Sequence, residues 1–216
     1  MILIGMFDSP FVRRVAVTLN LLEMPFEHRN WSVGKDFHLI SQFNPLGRVP
    51  TLVLDDGEAL IESGAILDHL DERAGADRAL LPRAGKTRRD ALRLMAIAVG
   101  AAEKAVLQLY EKAFRPEEKR HPPWVERCAG QMQAALAELE RLALASGGEW
   151  LVGERMTQAD ITVACVFTFL RQALVGQGGG AAYAALRALA ERCEGLPAFR
   201  AVKAEFSPPA PPRPAG

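Results

Sequence analysis

The chain has 216 residues, with 26 Lys plus Arg against 26 Asp plus Glu and 49% apolar residues, enough for one large domain or two small ones with their own cores. Zero net charge, with no block of like sign, argues against a nucleic-acid or anionic-membrane partner. Cys128, Cys165 and Cys193 are widely spaced and form no metal or redox motif, so no metal site is expected and a soluble, reducing, cytoplasmic setting is.

The opening "MILIGMF" lacks a basic flank and a small-residue cleavage site and runs into Asp8, so it reads as a strand over Ile2 to Met6 rather than a signal peptide. A helix follows from about Pro10 to Glu23, with Phe11, Val15, Thr18, Leu19 and Leu22 at the helical period. "PFEHRNW" reads as a second strand and "KDFHLISQF" as a short helix. Thr51 to Leu60 holds two apolar runs around Asp56-Gly57, a hairpin signal because such turns need positive φ. "ESGAILDHLDER" is a third helix. The order βαβαββα implies parallel pairing of the first two strands and an antiparallel edge from the hairpin.

From Thr87 onward strand signals vanish. Thr87 to Phe114 is a long helical pattern whose predicted apolar face is Leu92, Met95, Val99, Val106 and Leu109. Trp124 to Ala145 is another, with Cys128, Met132, Leu136, Leu139 and Leu142 as its stripe. "TQADITVACVFTFLRQ" is apolar nearly all round and should be the central buried helix of this half; its longest apolar run, Ile161 to Leu170, falls far short of the roughly 20 residues a membrane helix needs. Thr157 and Asp160 resemble a capping box at its start, a structural device rather than an active-site feature. Shorter helices are expected over Ala181 to Arg192 and Pro197 to Phe206. The division expected is 1–76, a linker over 77–86, a helical domain over 87–206, and a tail over 207–216 that carries five prolines in ten residues and reads as extended or disordered.

Three features fall where such a sheet concentrates chemistry. Ser9 lies between the first strand and first helix, where its hydroxyl either caps the helix or faces outward. Val49-Pro50 precedes the third strand, as a turn proline or as a binding edge. Glu62-Ser63 begins the third helix, where free N–H groups and the dipole attract an anion, though helix capping alone also explains the pair.

"SPFVRRV", "NPLGRVPTL", "ESGAILDHL" and "TQADI", in this order and at compatible spacing, resemble the cytosolic glutathione transferases over the whole chain before the proline tail. The resemblance implies an α/β thioredoxin-like N-terminal domain followed by an all-α C-terminal domain, acting as a homodimer on glutathione as co-substrate without another cofactor. It implies a cis bond before Pro50 that turns the backbone of Val49 outward to the cysteinyl residue. Ser63 would bind the γ-glutamyl carboxylate, Glu62 would face the ammonium, and Arg48 or His38 would reach the glycyl carboxylate. Ser9 would hold the sulfur rather than attack anything. A free thiol titrates near roughly 8.5, and lowering that by about two units takes roughly 2.7 kcal/mol, within reach of a hydroxyl donor plus a helix amino end.

No Tyr or Cys stands at this turn, which excludes tyrosine-dependent classes and disfavours thiol-transferase chemistry. Ser9-Pro10-Phe11 replaces the Ser-Ser-Cys run of zeta-like isomerases and looks most like the serine-type tau-related and bacterial members. Asp8 beside Ser9 would oppose a thiolate unless it points away. The electrophile pocket is expected between the halves, lined by Phe7, Phe11, Tyr110, Phe114 and Trp124. Transfer to a small hydrophobic electrophile is the expected activity. A glutathione-dependent isomerase, dehalogenase or peroxidase could share the site, and a non-catalytic interaction module could share the fold.

Overall fold

The computed structural model describes residues 1–177 and 182–210. Its first part runs β1 (Ile2–Ile4), α1 (Pro10–Leu21), β2 (Glu27–Arg29), α2 (Phe37–Ile40), β3 (Thr51–Val53), β4 (Ala59–Ile61) and α3 (Ser63–Ala74). The sheet order is β2-β1-β3-β4. Leu3 pairs with His28 in a parallel ladder and with Leu52 in an antiparallel one, and Leu52 pairs with Leu60. The expected βαβαββα order is what forms.

The two central strands, β1 and β3, are largely apolar because both faces of the sheet are covered there, whereas edge strand β2 is Glu27-His28-Arg29. Leu3 and Leu52 point into the main core with Val12, Val15 and Leu19 of α1 and Ile66, Leu67 and Leu70 of α3. Ile4 and Val53 face the other way, against Ile40 of α2. The hairpin turn has positive φ at Gly57 alone, with the Gly57 N–H donating to the Leu54 carbonyl and the Leu54 N–H donating to the Glu58 carbonyl. The expected hairpin around Asp56-Gly57 thus forms, with a three-residue loop over 55–57.

The rest is helical: α4 (Gly85–Phe114), a 3-10 turn (Glu117–Lys119), α5 (Pro122–Ser146), α6 (Gln158–Ala173), α7 (Ala184–Glu194) and α8 (Pro197–Arg200). Helix α6 is the central buried one, as its all-round apolar sequence predicts. The face of α4 differs from the expected stripe. Of the five residues predicted to form it only Met95 is buried, and Leu92 is exposed; the buried face is Ala91, Leu94, Met95, Ala98, Ala101, Ala102 and Ala105. Small side chains let α5 and α6 approach α4 closely, so alanines win the buried face over larger residues beside them. The last helix stops at Arg200 rather than Phe206. The start expected for α7, at residue 181, lies outside the described residues, as do tail residues 211–216. Among the described residues no helix is long and apolar enough to cross a membrane.

The two parts share α1. Arg13 is buried and makes a two-pronged ion pair with Glu194 of α7, at 2.6 and 2.7 Å, while also donating to the carbonyls of Phe199 and Val202. Burial works against its charge, but the Glu194 carboxylate outweighs it and holds the guanidinium above its ordinary value. Thr18 donates to Gln158 at the start of α6. The segment between the halves is pinned as well: Asp71 accepts from the N–H groups of Leu80 and Leu81.

Asp160 fixes the amino end of α6. Its carboxylate, fully buried, accepts from the N–H and hydroxyl of Thr157 and the N–H of Leu151, all within 2.8 Å. Asp160→Ala would leave two backbone N–H groups and a hydroxyl unpaired, and should lower unfolding stability by about 3 kcal/mol in urea titration, against about 1 kcal/mol for Thr157→Ala.

Candidate active site

The site is built at the turn from β1 into α1. Gly5 makes that turn possible: its φ is +131°, and a Cβ there would stand 2.5 Å from Val12 Cγ2 and 2.8 Å from Val49 Cβ. The start of α1 and the loop before β3 can therefore lie against each other. Ser9 occupies the N-cap position in an extended conformation, with Pro10 opening the helix. Its hydroxyl makes no cap hydrogen bond. Among the described residues no side chain caps the first turn of α1, which leaves the outward-facing alternative for the Ser9 hydroxyl.

Beside Ser9 runs the loop before β3. Asn44 folds it, accepting the N–H of Leu46 through Oδ1 and donating through Nδ2 to the Arg48 carbonyl. Gly47 has φ +60° and lies against the Phe37 ring, where a Cβ would collide. The Val49-Pro50 bond is cis. None of the loop hydrogen bonds among the described residues uses the N–H or C=O of Val49.

At the start of α3 the roles are shared differently from expectation. Glu62, at φ +70°, caps the helix itself, its carboxylate accepting from the N–H groups of Gly64 and Ala65. Ser63 is buried; its hydroxyl accepts from Arg14 Nη2 at 2.7 Å and donates to Glu62 Oε1 at 3.2 Å. Arg14 was not singled out by the sequence. It is only 2% exposed, reaches Thr162 through Nη1, and leaves Nε without a partner. Desolvation pulls its guanidinium down to about 10 against the opposing pull of Glu62, so it stays charged at neutral pH. A positive charge thus sits beneath the start of α3.

A cavity of about 730 Å³ opens over Ser9, within the range of small-molecule sites. Ser9, Arg48, Val49, Phe11, Tyr110 and Phe114 line it, with Asp8 and Phe37. Tyr110 and Phe114 pack edge to face, 4.9 Å between centroids. Desolvation raises the Tyr110 phenol, with Arg48 opposing and Asp8 reinforcing the shift. Phe7 does not line the cavity, because its ring stacks on His28 at 3.7 Å. His38 and Trp124 are exposed and do not line it either. Glu62 and Ser63 lie outside its wall and connect to α1 through Arg14. Asp8 turns its carboxylate to the end of the chain, accepting the Ser207 N–H at 2.9 Å. Burial pushes this carboxyl up, and the backbone N–H groups of Ser207, of Asp8 itself and of Ser9 pull it part of the way back.

Residues 3–78 match the family described as glutathione S-transferase, N-terminal domain, and residues 122–202 its C-terminal domain. The fold is similar to a glutathione S-transferase from Methylobacterium radiotolerans in complex with glutathione sulfonate, at 29% identity and TM-score 0.89 over 95% of both chains. It is also similar to a glutathione transferase family member from Pseudomonas fluorescens Pf-5 with bound glutathione, at 30% identity and TM-score 0.83, covering 95% of this chain and 99% of that one. The maleylacetoacetate isomerase of Pseudomonas aeruginosa is 35% identical over 123 residues, 55% of this chain and 54% of its own.

All three cysteines are buried and reduced, none at the cavity. Burial pushes the Cys165 thiol up to about 12 and raises Cys193 as well. The native protein should therefore show no thiol reactive toward Ellman's reagent at pH 8, and three after unfolding; a fast-reacting native thiol would contradict this picture.

Proposed function

The chain belongs to the glutathione S-transferase family, and on that premise we propose that it conjugates the glutathione thiolate to small hydrophobic electrophiles, with Ser9 holding the sulfur. The observation that carries this reading is the Ser9 hydroxyl: it stands at the amino end of α1, on the cavity wall, unused as a cap. A hydroxyl donor and the unpartnered N–H groups of a helix start both favour the charged form of a nearby thiol. The cysteinyl backbone would pair with the free N–H and C=O of Val49 in the manner of an added strand.

The glutamyl end would go to the start of α3. Ser63 already accepts from Arg14, so its one proton is free to leave Glu62 Oε1 for an incoming carboxylate, and Glu62 in turn meets the ammonium. Arg48, on the cavity wall, is better placed than His38 for the glycyl carboxylate. Phe11, Tyr110 and Phe114 give the electrophile an apolar, aromatic surround. With this reading go a cytoplasmic homodimer and no metal or nucleic-acid partner. The isomerase similarity supports a second reading, in which the same thiolate adds reversibly to a double bond and leaves again after rotation, with no net transfer.

Thiolate absorbance of bound glutathione against pH separates these ideas from mere binding. In the wild type the bound thiol should titrate about two units below its free value of roughly 8.5, and Ser9→Ala should return it to within about one unit of free while slowing conjugation of chlorodinitrobenzene about tenfold or more. Binding without any shift in the wild type would leave a binding module; a shift that persists in Ser9→Ala would move the role to backbone donors of α1. Arg14→Met should weaken glutathione binding about tenfold or more, with the thiol titration nearly unchanged, because it acts at the other end of the tripeptide.

A further inference from the structure

The end of the chain closes one side of the cavity. After α8 the backbone turns back, and Phe206 packs edge to face on Phe169 while its N–H donates to Gln172 Oε1. Ser207 then donates its N–H to Asp8 Oδ2 at 2.9 Å, one residue before Ser9. Pro208 and Pro209 continue along the cavity wall. Ala210 reaches the loop between β2 and α2, where its carbonyl lies over Gly34: a Cβ on Gly34 would stand 2.0 Å from that oxygen. Gly34 has no positive φ, so the backbone there does not require glycine. The crossing segment does.

Three residue steps span about 10 Å, the scale of a cleft that takes a small ligand edge-on. A Pro-Pro segment suits this course. It has no N–H to leave unpaired over a cavity, and its fixed φ keeps it stiff without flanking secondary structure.

We infer that residues 206–210 form a roof clasped at Asp8 and at Gly34, which limits the size of the group that the bound sulfur can carry. This rests on the reading of the site as a glutathione site. The Asp8 carboxylate thereby acquires a role: it is the acceptor that anchors the roof, turned toward Ser207. The substrate class that follows is a compact or flat electrophile, since the product must fit beneath the roof with Phe206, Pro208 and Pro209 above it.

Direct binding of glutathione thioethers tests this without turnover. By calorimetry, the wild type should hold S-methylglutathione at least about tenfold more tightly than S-(1-naphthylmethyl)glutathione. Deleting residues 207–216, which leaves Phe206 in place, should abolish that preference. Gly34→Val and Ser207→Pro should each reduce it severalfold, the first by displacing the Ala210 carbonyl, the second by removing the donor to Asp8. Asp8→Ala combined with Ser207→Pro should do no more than either alone, because both break one bond. An unchanged preference in the deletion and in Gly34→Val, with glutathione still bound, would overturn the roof. If neither glutathione nor its thioethers bound the wild type, the site reading would fail instead. The apolar dye 8-anilinonaphthalene-1-sulfonate would then decide on the roof: a several-fold affinity change on deletion supports it, and none overturns it.

Discussion

Two adjacent guanidinium groups on α1 hold this molecule together. Arg13 turns into the helical half, where Glu194 and two carbonyls neutralise it; Arg14 turns toward the start of α3 and Thr162 of α6. Burying a charge is costly unless it is paired and hydrogen-bonded, and the two solve this differently. Arg13 has a carboxylate in contact. Arg14 has hydroxyls in contact, keeps Nε unpartnered, and has only the more distant pull of Glu62. The first is a structural fastening. The second leaves positive potential under a helix amino end, which suits an anionic ligand group.

The consequence is geometric. Because α1 is fixed to both halves within one turn of its start, Ser9 cannot shift relative to either the α3 start or the aromatic wall on α4. In the proposed reading, the amino ends of two helices, α1 and α3, would serve one ligand, one for a sulfur and one for a carboxylate. Gly5 completes the arrangement by letting Val12 of α1 and Val49 of the loop before β3 close in on the same turn. Neither half would present this combination by itself.

Much of this was legible in the sequence. The strand and helix order showed because buried two-faced strands and amphipathic helices have distinct periods, and the Ser9, Val49 and Glu62-Ser63 positions follow from where those elements begin. Other features were hidden for physical reasons. Arg13 and Arg14 look like a solvated pair, since a charge is assumed to be exposed until its partners, far away in sequence, are known. The buried face of α4 is mostly alanines, which carry weak apolar signal but permit close packing, so Leu92 stands out in the sequence yet is exposed. Phe7 at the mouth of the turn looked like a pocket residue because its stacking partner, His28, comes from a neighbouring strand. The proline-rich tail reads as extended or disordered, and only the bond from Ser207 to Asp8 and the fit of Ala210 on Gly34 set residues 207–210 along the cavity.

The central claim is that a single hydroxyl at the amino end of α1 meets the glutathione sulfur. A crystal structure of the chain with glutathione bound tests it most directly. The account predicts the sulfur about 3.3 Å from Ser9 Oγ, with the cysteinyl backbone paired to Val49 and the glutamyl carboxylate on Ser63. A tripeptide bound with its sulfur turned away from Ser9, or with its glutamyl end away from α3, would contradict it.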